Sequence, residues 1–208
     1  MSIISYLAAL DGNWMVLAND ISMPRVVRLK QNIDQIFPDI ERRHIKITNG
    51  DATQNNQNLK KYMPFNKILV DAPCSCDSFH VMEDPSMSSW SEAKMRKNSH
   101  RQKKLLETSL EMLSNTGELL YCTCSILNGE NDEVVEYVLN KAKFKNKFTI
   151  SDDFTLVINC DYNVVDLHDT IDKSQKKLVL RRTKFGFLIL PCDNHGSGPL
   201  YFSKFIRV

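Results

Sequence analysis

Glycine is scarce in this chain, with 7 in 208 residues, and none of them forms a glycine-rich loop after an apolar run. No apolar stretch is long enough to span a membrane as a helix. The opening Met1-Ser2-Ile3-Ile4-Ser5-Tyr6-Leu7 has no basic region followed by an apolar stretch, and it is not Arg-rich. Neither a secretory signal nor a transit peptide is therefore expected. Charge of one sign is also missing: the net value of +2 is too small to establish an anionic partner by itself. Without a secretory signal, the 6 cysteines are expected as reduced thiols in an intracellular compartment.

What is present suits a soluble globular protein. Hydrophobic residues make up 42% and charged residues 25%, so a proper core is available. One domain over residues 1–208 is the expectation for this length. Two cysteine segments carry the most information. Asp71-Ala72-Pro73-Cys74-Ser75 follows Lys67-Ile68-Leu69-Val70, and Tyr121-Cys122-Thr123-Cys124-Ser125 follows Gly117-Glu118-Leu119-Leu120. Each apolar run is short, β-prone and bounded by turn formers, so each reads as a buried strand. In open α/β sheets, chemistry collects at the carboxyl ends of strands. Two bland readings stand beside a catalytic one. The thiols could pack as small hydrophobes, or four could bind zinc, although structural zinc usually takes two to four intervening residues rather than one.

The rest of the chain alternates helical and strand patterns. Residues 2–10 have helical apolar spacing. Trp14–Ala18 reads as a strand. Ser22-Met23-Pro24 starts a helix with Ser22 as N-cap, and Val26, Val27, Leu29, Ile33 and Ile36 form its apolar face. His44–Thr48 is a second strand, residues 53–64 a polar loop, and Ile68–Val70 a third strand. A long loop covers 77–90, and a helix runs from about Ser91 to Leu113. Leu119–Cys122 is a fourth strand, and Glu130–Asn140 another helix. Short β-prone runs follow at Leu178–Leu180, Phe185–Leu190 and Leu200–Phe205. This order predicts an α/β fold: a mostly parallel, doubly wound sheet that finishes with antiparallel strands.

Three successive strands end in an acid, at Asp20, Asp51 and Asp71. Asp after a strand is ordinary turn chemistry. Three in succession point further, to a nucleoside cofactor, because a carboxylate at such an end can accept from both ribose hydroxyls.

The two cysteine segments together resemble the motifs of Nop/Sun-type (RsmB/Nop class) RNA cytosine-5 methyltransferases. Asp71-Ala72-Pro73-Cys74-Ser75-Cys76-Asp77 is similar to the segment with the releasing cysteine, and Tyr121-Cys122-Thr123-Cys124-Ser125 to the one with the nucleophile. Gly129-Glu130-Asn131-Asp132-Glu133 resembles the Glu-Asn-Glu segment that follows, and His100-Arg101-Gln102-Lys103-Lys104-Leu105-Leu106 the helix between the motifs. Ala18-Asn19-Asp20-Ile21-Ser22 with Arg25 resembles the cofactor-ribose segment. The ending Gly198-Pro199-Leu200-Tyr201-Phe202 with Lys204 is most similar to the mitochondrial small-subunit rRNA branch of these enzymes.

The resemblance implies a Rossmann-like methyltransferase fold, S-adenosyl-L-methionine as cofactor, and RNA, above all rRNA, as substrate. It implies Cys124 as nucleophile, Cys74 as the cysteine that assists release, and Asp71 beside both cofactor and target base. Asp20, Arg25, Asp51, Ala52 and Asp71 would bind the cofactor, and no metal is implied. A mitochondrial location and a mitochondrial termination-factor-like helical-repeat partner follow from the same resemblance. The residue types suit the chemistry. Cytosine C5 is a poor nucleophile, and thiolate attack on C6 makes it enamine-like. An electropositive site would favour the Cys124 thiolate. Asp71 could hold the N3 edge, and the base must be flipped or unpaired to reach the thiol.

RNA needs a basic surface. Lys94, Arg96, Lys97, Arg101, Lys103 and Lys104 fall within 94–104 with no acid among them, and Lys141, Lys143, Lys145 and Lys147 would alternate along one side if extended. Such stretches are as often solvated faces. The departure from the family is at the front, where an Asp-x-Cys-Ala-Ala-Pro-Gly-Gly-Lys-Thr segment would precede the match to residues 2–10. The expectation is an N-terminally incomplete chain, lacking the first strand and its glycine-rich loop. The missing strand would stand between those ending at Asp20 and Asp71. An alternative function is a non-catalytic RNA-binding or ribosome-assembly factor derived from this fold. Intact Cys74, Cys124, Asp71 and Asp20 favour the enzyme, and the absent loop favours the alternative.

Overall fold

The computed structural model describes residues 14–37, 43–54, 56–75, 91–153, 162–166, 178–194 and 198–208. The expected helix at 2–10, the loop at 77–90 and the cysteines Cys76 and Cys160 lie outside the described residues. The chain forms two compact units, Met1–Tyr62 and Met63–Val208.

In the first unit, strand β1 (Val16–Asp20) pairs in parallel with β2 (Ile45–Asn49), with Asp20 level with Asn49. Both strands run one or two residues later than the hydropathy suggested, so Asp20 is the last residue of β1 rather than beyond it. Helix α1 (Met23–Ile36) begins with Pro24 in its first turn. Ser22 occupies the N-cap, but its side chain makes no capping bond. Asp20 Oδ1 instead accepts from the Ser22 amide at 2.7 Å. Ile33, Phe37 and Ile45 form the small core, with Trp14, Leu29 and Ile47 packed against it. The polar stretch after β2 contains one helical turn, α2 (Gln57–Lys60), capped by the Asn56 side chain.

The second unit is built on β3 (Phe65–Asp71), α3 (Glu92–Met112), β4 (Leu113–Thr123), a 3-10 turn at Asn128–Glu130, and α4 (Asp132–Leu139). Then come β5 (Phe148–Ser151), β6 (Tyr162–Asp166), β7 (Leu178–Arg182), β8 (Phe187–Ile189) and β9 (Leu200–Arg207). The strand order is β3-β4-β9-β8-β7-β6, with β5 also on β9. β3 and β4 are parallel, as are β6 and β7, whereas β9 runs antiparallel to β4, β5 and β8. Parallel strands followed by antiparallel C-terminal ones is the expected architecture. Among the described residues, β1 pairs only with β2, and β3 only with β4.

Alternation along β4 decides what each face buries. Leu119 and Tyr121 point into the main core, against Leu106 and Leu110 of α3 and Val134, Val135 and Val138 of α4. Leu120 and Cys122 face the other way, toward Leu180, Phe187, Ile189 and Phe202. Leu106 and Leu110 are fully buried one helical turn apart, so truncating either to Ala is expected to cost ~2–5 kcal/mol. Ser91 Oγ caps α3 by accepting from the Lys94 amide at 3.2 Å.

Two expectations from the sequence change here. β4 starts six residues before Leu119, because the chain enters the strand directly at the end of α3. Residues 141–147 form turns rather than an extended run, so the four lysines do not line one edge. Lys141 pairs with Glu107, and Lys143 with Glu107 and Glu111.

Candidate active site

β3 and β4 lie side by side in parallel, with Asp71 level with Cys122. Both chains therefore leave the sheet at the same end. Ala72 N still donates to Cys122 O at 3.0 Å, which continues the ladder one residue past β3. Cys74 and Cys124, separated by 50 residues in sequence, emerge with Cα atoms 6.3 Å apart and are joined in a disulfide. The free thiols expected for an intracellular protein are not what the structure holds at this pair. The reason is geometric: adjacent parallel strand ends place the two Cα atoms inside the span that a disulfide bridges. The bond also occupies two of the sulfurs that a four-cysteine zinc site would need.

Both cysteine turns are held on each side. Gln102 Nε2, from α3, donates to Pro73 O at 2.7 Å. Glu130 Oε2 accepts from Ser75 N at 3.1 Å and from Ser75 Oγ at 2.7 Å. On the other turn, Thr123 Oγ1 donates to Asn131 Oδ1 at 2.6 Å, and Asn131 Nδ2 donates to Ser125 O at 2.9 Å. Tyr121 OH donates to the Glu130 carbonyl at 2.7 Å, which ties the 3-10 turn to β4. Gln102, Ser75, Glu130 and Asn131 are all buried. Composition and periodicity assign these four no role. Their signal in the sequence is their place in the resembling segments: Ser75 in the first cysteine segment, Gln102 in the helix between the motifs, and Glu130 and Asn131 in the Glu-Asn-Glu segment, none with an assigned role there.

Asp71 is exposed at the end of β3. Cys122 is one residue from the site in sequence but faces the β7–β9 side of the sheet, as a packing thiol. Burial, together with the charge of Asp71, pushes this thiol up to about 12, so it stays protonated at neutral pH. Cys192 is a free, exposed cysteine remote in sequence from both motifs.

The nucleoside-site candidates sit in the first unit. Asp20 Oδ2 pairs with Arg25 Nη1 at 3.5 Å, so the structure brings these two predicted residues together. Asp51 Oδ1 accepts from the Thr53 amide at 2.9 Å and from Thr53 Oγ1 at 2.7 Å, with Ala52 inside that turn. Asp20 and Asp51 thus both perform the local turn chemistry that Asp commonly supplies. Sequence reasoning missed Asn49, whose Nδ2 donates to Asp20 O at 2.8 Å and Ile21 O at 3.0 Å and braces the end of β1.

Of the basic candidates, Lys94, Lys97 and Lys104 are exposed on α3, and Arg101 is half-buried. Arg96 pairs with Glu92 at 2.6 Å, and Lys103 lies 4.8 Å from the Tyr137 ring centroid. Arg96, His100 and Lys103 share one face of α3 and line a cleft of about 470 Å³ with Gly129 and Glu133.

The family described as 16S rRNA methyltransferase RsmB/F matches residues 2–178. The chain belongs to that RsmB/F family. Among curated relatives, the ribosomal RNA small subunit methyltransferase F of Shewanella sp. (strain MR-4) is 29% identical over 131 residues, covering 63% of this chain and 26% of that protein. The human 28S rRNA (cytosine(4447)-C(5))-methyltransferase is 32% identical over 145 residues, covering 66% of this chain and 17% of that protein. The chain thus spans about a quarter or less of the length of these relatives. Among solved structures, NSun6 from Pyrococcus horikoshii with SFG has a TM-score of 0.64 at 17% identity, over 93% of this chain and 41% of that one. A methyltransferase homologue from the same organism has a TM-score of 0.57 at 18% identity, over 93% of this chain and 53% of that one. These two likenesses show the shared Rossmann-like fold of the RsmB/F chain.

Proposed function

We propose that this chain carries the thiol site of an RNA cytosine-5 methyltransferase, acting on rRNA with S-adenosyl-L-methionine as methyl donor. The observation that supports it most is the meeting of Cys74 and Cys124 at the ends of β3 and β4, beside Asp71. Two thiols at one sheet end suit a reaction in which one sulfur bonds the base and a second assists its departure. In the disulfide neither sulfur is a nucleophile, so the chemistry belongs to the reduced pair.

In the reduced form, Cys124 attacks cytosine C6 and breaks the ring's aromaticity. Asp71, exposed at the strand end, holds the N3 edge as charge develops there. Once C5 carries its methyl group, the C5 proton leaves and the Cys124–C6 bond breaks, a step that Cys74 assists. The cofactor's contribution is the electrophilic methyl group. The nucleoside end of that cofactor fits the residues present. Asp20 is an acceptor at a strand end: its Oδ1 accepts from the Ser22 amide, while its Oδ2 is held by a solvent-exposed ion pair to Arg25 that a ribose diol can replace at little cost. Arg25, Asp51 and Ala52 complete the proposed set in the first unit, and Asp71 is proposed as a cofactor contact of the second unit by itself. Lys94, Arg96, Lys97, Arg101, Lys103 and Lys104 would meet RNA phosphates along α3. A mitochondrial setting and a termination-factor-like helical-repeat partner are part of the proposal, and they rest on the segment Gly198–Phe202 with Lys204.

The test is trapping in the full-length protein under turnover with RNA and S-adenosylmethionine. Cys74→Ala is expected to accumulate a covalent protein–RNA adduct on denaturing gels, and Cys124→Ala to form none. If neither variant traps RNA, the catalytic assignment fails.

A further inference from the structure

The residues that hold the two cysteine turns are not interchangeable scaffolding. Each turn is gripped at the residue before its cysteine and the residue after it: Pro73 by Gln102 and Ser75 by Glu130, then Thr123 and Ser125 both by Asn131. Gln102 and Glu130 are fully buried and Asn131 nearly so. Glu130 and Asn131 are consecutive, so a single peptide unit, anchored to β4 through Tyr121 OH, clamps both turns at once. The grip carries a cost. Gln102 Oε1 and Glu130 Oε1 are buried with no hydrogen-bond partner among the described residues, and a buried polar atom left unpaired is normally destabilising. An apolar residue at either place would avoid that cost but could not hold the turn.

We infer that Gln102, Glu130 and Asn131 are positioning residues that set the separation and mutual orientation of the Cys74 and Cys124 thiols, Gln102 and Glu130 acting on Cys74 and Asn131 on Cys124. The catalytic consequence rests on the proposed function; the geometric consequence does not. Misplacing a reacting group by about 1 Å costs up to roughly 100-fold in rate. The three residues therefore control how fast the two sulfurs can meet. In catalysis the two halves of the clamp should fail differently. Loosening the Cys74 side slows release, and loosening the Cys124 side slows attack.

The experiment uses the full-length protein, fully reduced and then exposed to the thiol oxidant diamide. Two thiols lose their hydrogens to the diazene as the S–S bond forms, and the diazene is reduced to the hydrazine. Closure of Cys74 with Cys124 is followed by peptide mass mapping. Gln102→Ala, Glu130→Ala and Asn131→Ala are expected to slow closure by about 10- to 100-fold. Glu130→Gln, whose amide oxygen can still accept both Ser75 bonds, should restore it to within about twofold. Where an alanine variant does not fold, Ser75→Ala removes one bond from the first turn and Thr123→Val removes two from the second, and these variants serve in its place. A merely structural role would lower the melting temperature while leaving closure in the folded protein at the wild-type rate, and that result overturns the inference. Adduct trapping with RNA is the second readout. The Gln102 and Glu130 variants should accumulate adduct as Cys74→Ala does, and the Asn131 variants should form less. Equal adduct levels on the two sides would overturn the division of labour. If closure slows as expected while no variant traps RNA, Cys74→Ala included, the clamp stands and the methyltransferase reading falls.

Discussion

Reducing the Cys74–Cys124 bond should exchange stability for chemistry, and the size of the exchange follows from the chain. The bond closes a loop across a sequence separation of 50, entirely within the second unit. In the chain-entropy treatment, a loop of that length restricts the unfolded state by about 4 kcal/mol at 25 °C. With a urea dependence of ~2–3 kcal/mol/M for a chain of this size, the oxidised protein should unfold at roughly 1.3–2 M higher urea than the reduced one. The assay is urea unfolding of matched samples with and without a phosphine reductant, with peptide mapping to confirm the state of the pair. A Cys74→Ala/Cys124→Ala double variant is the reference, and it should ignore the reductant. In parallel, covalent capture of RNA should appear only in the reduced sample. Identical midpoints with the bond verifiably broken would refute the reasoning, because the loop would then be restrained by other contacts in the unfolded state. Capture of RNA by the oxidised form would refute the assignment of Cys124 as nucleophile.

Asp132 opens α4 and accepts from Thr183 Oγ1 (2.9 Å), Phe185 N (3.1 Å) and Tyr201 OH (2.8 Å) at Oδ1, and from Lys184 N (2.9 Å) at Oδ2. Asp132→Asn can keep the Oδ1 bonds and should lose ~1–3 kcal/mol, whereas Asp132→Ala strands all four donors and should lose ~3–5 kcal/mol, measured by denaturant unfolding. Cys122, its thiol pushed up to about 12, should resist iodoacetamide at pH 8 while the exposed Cys192 is alkylated, and Cys122→Ala should still form the RNA adduct. Burial pushes the Glu118 carboxyl up, but Lys67 and then Lys204 outweigh it and leave its pKa below the ordinary 4.5. The folded state therefore holds this proton less tightly than the unfolded chain does. The contribution is present above about pH 4.5 and is lost as pH falls through the lowered value. Lys67→Met should move the NMR titration of Glu118 upward.

The order of elements was legible because apolar runs bounded by turn formers mark strands whatever they pair with. The same logic put Cys74 and Cys124 beyond strand ends. The boundaries were less legible. β4 begins at Leu113 because α3 runs straight into it, and nothing in Ser114-Asn115-Thr116 announces a strand. The lysines after 140 alternate in sequence, but Glu107 and Glu111 of α3 draw Lys141 and Lys143 into ion pairs. The clamp was invisible for a similar reason. Gln102 is one more polar residue in a basic helix until the helix packs against Pro73, and Glu130 is one more acid until its carboxylate reaches Ser75.

By itself, the sequence determined which residue types lie at which strand ends: two thiols, three carboxylates and a run of bases on one helix. That information is local, written in periodicity over a few residues. Only the tertiary structure decided that Cys74 and Cys124 meet, that Cys122 turns away into the core, and that Glu130 and Asn131 hold both turns. Those outcomes depend on the parallel register that sets Asp71 level with Cys122. A register is a choice between strands about 50 residues apart, and it is settled by packing α3 and α4 across the sheet rather than by any short segment.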